Sequence, residues 1–245
     1  MERYIYAGSL RRVAVAWLAA LSCVACGGGA GGNAATGDDT GDRPAAAPEG
    51  ERRTVLVVGT SLTAGLGVDP GEAWPAHLQR MIDSAGLPYR VVAAGVSGET
   101  SAGALARMDW VLRQKPAVLI VETGANDGLR GLAPDALEEN LTQIVERTRS
   151  AVPDAEIAIV QMEAPPNLGR RYTDEFRSVF ADVAREHDAT LLPFPLARVA
   201  GIDSLNQPDG IHPTPAGHRL MAEAVWPELE PLLEGAATAR PAALP

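Results

Sequence analysis

Apolar side chains along this chain come in short continuous runs, separated by longer stretches in which they return at helical spacing. Residues 54–58 read Thr-Val-Leu-Val-Val and stop at Gly59, the pattern of a strand covered on both faces. Similar runs fall at 89–93, 117–121, 156–160 and 190–192. Between them, three-to-four-residue periodicity predicts helices over about 72–84, 102–114, 135–151 and 174–187. A last helix is predicted from Pro215, with Thr214 as N-cap and proline at the first helical position. Strands that alternate with helices call for a parallel sheet with right-handed crossovers. The predicted fold is therefore a three-layer α/β/α domain on a five-stranded parallel sheet. With only five strands, the flavodoxin-like order 2-1-3-4-5 suits it better than the Rossmann order.

The ends of the chain follow a different pattern. Arg3, Arg11 and Arg12 precede an apolar stretch from Val13 to Val24, broken only by Ser22 and Cys23, which is the layout of a secretory signal peptide. Ala25-Cys26-Gly27 at its end resembles the lipobox of bacterial lipoproteins, in which the cysteine is acylated and becomes the new N-terminus. Cys23, after Ala20-Leu21-Ser22, is the alternative site. A plain secreted protein with incidental cysteines is the other reading. Residues 27–52 carry hardly any bulky apolar side chain and cannot offset their backbone entropy by burial, so they read as a tether. The tail from Gly235 is similarly rich in Ala and Pro. The expected organisation is a signal peptide at 1–25, a tether at 26–52, one domain at 53–234 and a loose tail at 235–245. The expected location is the bacterial cell envelope, reached by export and held by a lipid anchor.

Composition narrows the function classes. A formal net charge of −10 argues against a nucleic-acid binder that works by neutralising phosphates. No apolar run approaches the roughly 20 residues of a membrane-spanning helix. Cys23 and Cys26 are the two cysteines of the chain, so a disulfide scaffold or a cysteine-ligated zinc site in the domain is excluded.

Ligands of open α/β sheets bind beyond the carboxyl ends of the strands. After the first predicted strand comes Gly59-Thr60-Ser61-Leu62-Thr63-Ala64-Gly65, a tight turn that can present the Ser61 hydroxyl. By itself, such a serine is more often a helix cap. The turn is too short for a GxxxxGK[ST] phosphate loop, and a GxSxG elbow occurs nowhere in the chain. After the second strand comes Ala94-Gly95-Val96-Ser97-Gly98-Glu99-Thr100, whose glycines can bring a bare backbone N–H to a ligand. After the third comes Glu122-Thr123-Gly124-Ala125-Asn126-Asp127, where the Asn126 amide can point to the same spot. Near the end, Asp209-Gly210-Ile211-His212-Pro213 places a carboxylate and an imidazole three residues apart. In a turn, Asp209 can accept from one ring nitrogen while the other faces the site.

Together these four segments resemble, in order and position, the blocks of the SGNH hydrolases, also called GDSL lipases/esterases. The resemblance covers about residues 53–233 and is closest to bacterial thioesterase/lysophospholipase and arylesterase members. Asn126-Asp127-Gly128-Leu129-Arg130-Gly131, Gly169-Arg170-Arg171-Tyr172 and Leu191-Leu192-Pro193-Phe194 support it. The chain departs from the pattern twice. Gly-Asp-Ser-Leu reads Gly59-Thr60-Ser61-Leu62, and Gly-Gly-Asn-Asp reads Gly124-Ala125-Asn126-Asp127.

The resemblance implies Ser61 as nucleophile, His212 as general base and then acid, and Asp209 as the residue that orients His212. It implies an oxyanion hole made of the N–H groups of Ser61 and Gly98 and the Asn126 amide, with no metal and no cofactor. His77, His187 and His218 read as packing or helix-end residues. The implied substrate is a small-molecule or lipid ester, on a monomer that meets the membrane through its anchor only. By the same resemblance, the loop 128–134, with Leu129 and Leu132, would cover the acyl group. The segment 162–168, with Asn167, would form another wall. Apolar residues there favour an acyl or aryl group over a sugar. A carbohydrate O-acetylesterase and a non-catalytic ligand-binding lipoprotein are the competing readings.

Overall fold

The computed structural model describes residues 52–238; Cys23, Cys26, nearly all of the tether and residues 239–245 lie outside them. Strand β1 (Arg53–Gly59) is followed by a single helical turn, α1 (Ser61–Ala64), and by α2 (Trp74–Ser84). Then come β2 (Tyr89–Gly95), α3 (Ser101–Ala106), α4 (Met108–Val111), β3 (Val118–Glu122), α5 (Ala125–Leu129) and α6 (Pro134–Ala151). The chain continues through β4 (Glu156–Val160), α7 (Arg170–Glu186), β5 (Thr190–Leu192) and α8 (Pro215–Thr238). All strand pairs are parallel, in the order β2-β1-β3-β4-β5 that the alternation predicts. Helix α2 packs against α8, and α6 packs against α3 and α7, so helices cover both faces. The central strands are buried accordingly: every residue of β3 and all but the first of β1.

Register is what positions the site. Gly59, the last residue of β1, lies opposite Gly95 of β2 and Glu122 of β3, so three strands end flush. The loops that follow them open side by side at the carboxyl edge. Gly95 is needed there for closeness: a Cβ on it would stand 2.2 Å from the Ala64 backbone nitrogen. Gly95→Ala should therefore cost at least about 1–3 kcal/mol by overpacking. That is a fall in Tm of roughly 3–10 °C in a thermal melt. An unchanged melt would mean that α1 can move away from β2.

Three elements differ from their predicted form. The helix expected over 102–114 is broken at Arg107 (φ −104°, ψ 3°) into α3, α4 and a 3₁₀ turn at Leu112–Gln114. The break lets the Arg107 side chain reach back to the ends of β1 and β2. Helix α7 begins at Arg170, four residues early, directly after Gly169 at φ 87°. Helix α8 does begin at Pro215, with the Thr214 hydroxyl accepting from Gly217 N–H. It then runs to Thr238, through Pro227 and Pro231 and past the domain end expected at 234. Val225, Leu229, Leu233 and Ala236 form a buried stripe that holds the helix despite both prolines, and the Tyr89 hydroxyl donates to Leu233 O at 2.9 Å. The segment 235–238 is thus part of the domain rather than of a tail.

Candidate active site

Ser61 opens α1 immediately beyond β1, where the Thr60 hydroxyl caps the turn by accepting from Leu62 N–H at 3.4 Å. Its Oγ lies 3.0 Å from Nε2 of His212. On the other side of the imidazole, Nδ1 is 2.6 Å from Asp209 Oδ2. The Asp209 Oδ1 oxygen accepts the N–H groups of Ile211 (2.9 Å) and His212 (3.0 Å) around Gly210, which stands at φ 69°. These bonds, that from the His212 ring foremost, hold the Asp209 carboxyl well below the usual carboxylate range. Gln207 fixes this turn to the loop after the serine: its Nε2 donates to Leu66 O (2.7 Å) and to Pro213 O (2.9 Å).

The Gly98 turn faces this relay. Gly98 has φ 78°, and its carbonyl accepts from Arg130 Nη2 at 2.9 Å. The next carbonyl, of Glu99, accepts from Asn126 Nδ2, also at 2.9 Å. The Glu99 carboxylate is forked by Arg107, whose Nη2 also donates to Ala94 O at 2.7 Å and to Gly59 O at 3.4 Å. One guanidinium therefore ties the ends of β1 and β2 to the turn that carries Gly98.

Ser61, His212, Gly98 and Asn126 line a single cleft of about 610 Å³. Its other walls are largely apolar and include Leu66, Leu129, Met162, Pro165, Phe194 and Ile211. Of the three expected substrate contacts, the structure brings only Leu129 into the wall. Leu132 sits outside it, where its N–H closes a turn onto Asp127 O and its carbonyl accepts the Tyr172 hydroxyl at 2.7 Å. Asn167 is exposed in the 3₁₀ turn Pro166–Leu168, so that segment contributes Pro165 and Pro166 to the cleft instead. Phe194 and Ile211 lie in sequence motifs that by themselves give neither a role; their places after β5 and beside His212 are the signal for one.

The remaining histidines lie apart from the relay. His218 is fully buried, accepts Trp74 N–H at Nδ1, and is pushed down to about 4 by burial and then by His77 and His212. His77 borders a second groove, of about 510 Å³, between α2 and α8, which shares no residue with the cleft. His187 caps α7, and its carbonyl accepts from Arg149. Among the described residues there is no group of three or more His, Cys, Asp or Glu placed to hold a metal, and no helix long and apolar enough to cross a membrane.

A serine–imidazole–carboxylate relay at the carboxyl edge of a 2-1-3-4-5 sheet is the arrangement of a hydrolase. Residues 57–220 match the model of the GDSL-like Lipase/Acylhydrolase family, and the chain belongs to that family, the SGNH hydrolases. It is similar to Esterase TesA of Pseudomonas aeruginosa, with 43% identity over 182 residues that cover 74% of this chain and 90% of the relative. It is 38% identical to the Escherichia coli K12 protein named thioesterase 1/protease 1/lysophospholipase L1, over 74% of this chain and 85% of that one. The crystal structure of TesA superposes with a TM-score of 0.70 at 43% identity, covering 74% of this chain and 99% of that one.

Proposed function

We propose that this protein is a serine esterase that cleaves carboxylic esters and thioesters with an apolar acyl or aryl group, lysophospholipids among them, through an acyl-enzyme. The observation that carries the reading is the unbroken relay Asp209–His212–Ser61, with its serine end open to an apolar cleft. Ser61 Oγ attacks the ester carbonyl while His212 Nε2 takes its proton. Negative charge develops on the former carbonyl oxygen. Among the described residues, the N–H groups of Ser61 and Gly98 find no acceptor within the chain, and the Asn126 amide has a second hydrogen beyond the one given to Glu99 O. Those three donors hold the oxyanion. As the intermediate collapses, His212 returns the proton to the leaving oxygen or sulfur; water, activated by the same imidazole, then releases the acid. The charged and then apolar N-terminus with Ala25-Cys26 supports placing this activity on an exported, lipid-anchored domain.

The test is a series of p-nitrophenyl esters from acetyl to palmitoyl. If the apolar walls take the acyl chain, each methylene should improve kcat/KM by up to ~0.8 kcal/mol until the cleft is filled. Strict preference for acetyl would favour the carbohydrate O-acetylesterase reading, and no turnover of any ester would favour a ligand-binding lipoprotein.

A further inference from the structure

Beneath the nucleophile turn lies a group that the reaction as written does not use. Glu122, the last residue of β3, has no exposed surface. Its Oε2 accepts the Thr60 N–H at 3.0 Å and the Thr63 hydroxyl at 2.7 Å, and its Oε1 accepts the Thr60 hydroxyl at 2.9 Å. Trp74 Nε1 donates to Thr63 Oγ1 at 3.3 Å, which leaves the Thr63 hydrogen free to be given to Glu122. The carboxyl occupies the space where a side chain on Gly59 would be: a Cβ there would stand 2.5 Å from Oε2 and 2.1 Å from Thr63 Oγ1.

We propose that Glu122 is a positioning residue for Ser61, acting through Thr60 and Thr63 on either side of the nucleophile. The proposal rests on Ser61 being the nucleophile. Helix α1 has four residues, too few to hold its own shape, and its side-chain cap is a long one at 3.4 Å. Its place must come from outside, and the three bonds to one carboxyl supply it. An apolar residue at the end of the Val-Leu-Ile-Val run would leave the buried Thr60 N–H and both hydroxyls without this acceptor. What the acid adds is direction, because its two oxygens fix both the backbone before Ser61 and the side chain two residues after it.

The same geometry gives a reason for threonine at position 60. The family motif has aspartate there, and a second carboxyl against Glu122 Oε1 would have to share a proton with it. The Thr60 hydroxyl makes the bond as a neutral donor. In this chain the turn is therefore set by one carboxyl and two hydroxyls.

The full chain and its Glu122→Gln, Thr60→Val and Thr60→Ser variants would be compared by thermal melt, by kcat and KM on p-nitrophenyl butyrate, and by the rate at which a fluorophosphonate labels Ser61. Glu122→Gln and Thr60→Val should label about ten- to a hundredfold more slowly, with kcat falling in parallel, because small displacements of a reacting atom carry large rate costs. For Glu122→Gln, KM should stay within about twofold, since Glu122 does not line the cleft. Thr60→Ser keeps the hydroxyl and should restore the wild-type rate. Should Glu122→Gln fail to fold, Thr60→Val, which keeps shape and charge, removes the bond to Glu122 Oε1 together with the long cap on Leu62 N–H. Folded variants that label at the wild-type rate, with only the melt lowered, would reduce Glu122 to a structural role. Thr60→Ser as slow as Thr60→Val would remove the hydroxyl from the explanation. Failure of the wild-type chain to be labelled at Ser61 would instead sink the nucleophile assignment and leave the positions of Thr60 and Thr63 unaffected.

Discussion

Ser61→Ala should lower kcat on any ester by about a million-fold while the fold survives. The Ser61 side chain makes one hydrogen bond, to His212, and sits at the mouth of the cleft rather than in the core. Removing its oxygen leaves no cavity and no buried partner unsatisfied. It does remove the atom that forms the acyl bond, and the residual donors at Gly98 and Asn126 can then only assist water. A fluorophosphonate should modify Ser61 alone, seen as one labelled peptide by mass spectrometry. A label elsewhere, or wild-type turnover by the alanine variant, would refute the mechanism.

Asp209→Asn should cost about 10⁴-fold in kcat, the scale on which a triad loses its orienting carboxylate. Asp209 receives the imidazole Nδ1 and two backbone N–H groups. An amide there keeps the size but loses the charge, and can turn an N–H toward the ring and select the wrong tautomer. The sign with pH follows from the carboxyl being held below its ordinary value of about 3.9. Its contribution to the folded state is present above that value and is lost only as the pH falls below it. The His212 ring must be neutral to take the Ser61 proton. On this mechanism kcat/KM should rise with pH, and Asp209→Asn should move that profile. His77→Gln and His187→Gln should leave it in place. A flat profile in the wild-type chain would count against His212 as the base.

The sheet was readable from the sequence because its strands carry continuous apolar runs, and the predicted spans 156–160 and 190–192 match β4 and β5 in full. The relay was readable because its members stand in short motifs just after strands or just before a helix. What was hidden depends on contacts between distant segments. Leu132 does not line the cleft, and its carbonyl is held by the Tyr172 hydroxyl, 40 residues on. The helix over 102–114 breaks at Arg107, whose side chain binds Glu99 and the ends of two strands. Glu122 looked like the start of a loop, since a charged residue seldom ends a buried strand; its partners at 60 and 63 lie 62 and 59 positions earlier. Helix α8 runs past the domain end expected at 234 for a related reason: local proline content is outweighed by the stripe that α8 buries.

Ser61 and His212 are 151 positions apart, and the shortest tie between their loops is the side chain of Gln207. The nucleophile is laid down with the first strand, whereas the imidazole arrives only with the turn that leads into the final helix. A nascent chain that ends before Asp209 carries all five strand sequences and still lacks the base. Hydrolysis is thus a property of the finished polypeptide. In refolding, the return of turnover would report the docking of the turn that carries His212 against the turn that carries Ser61.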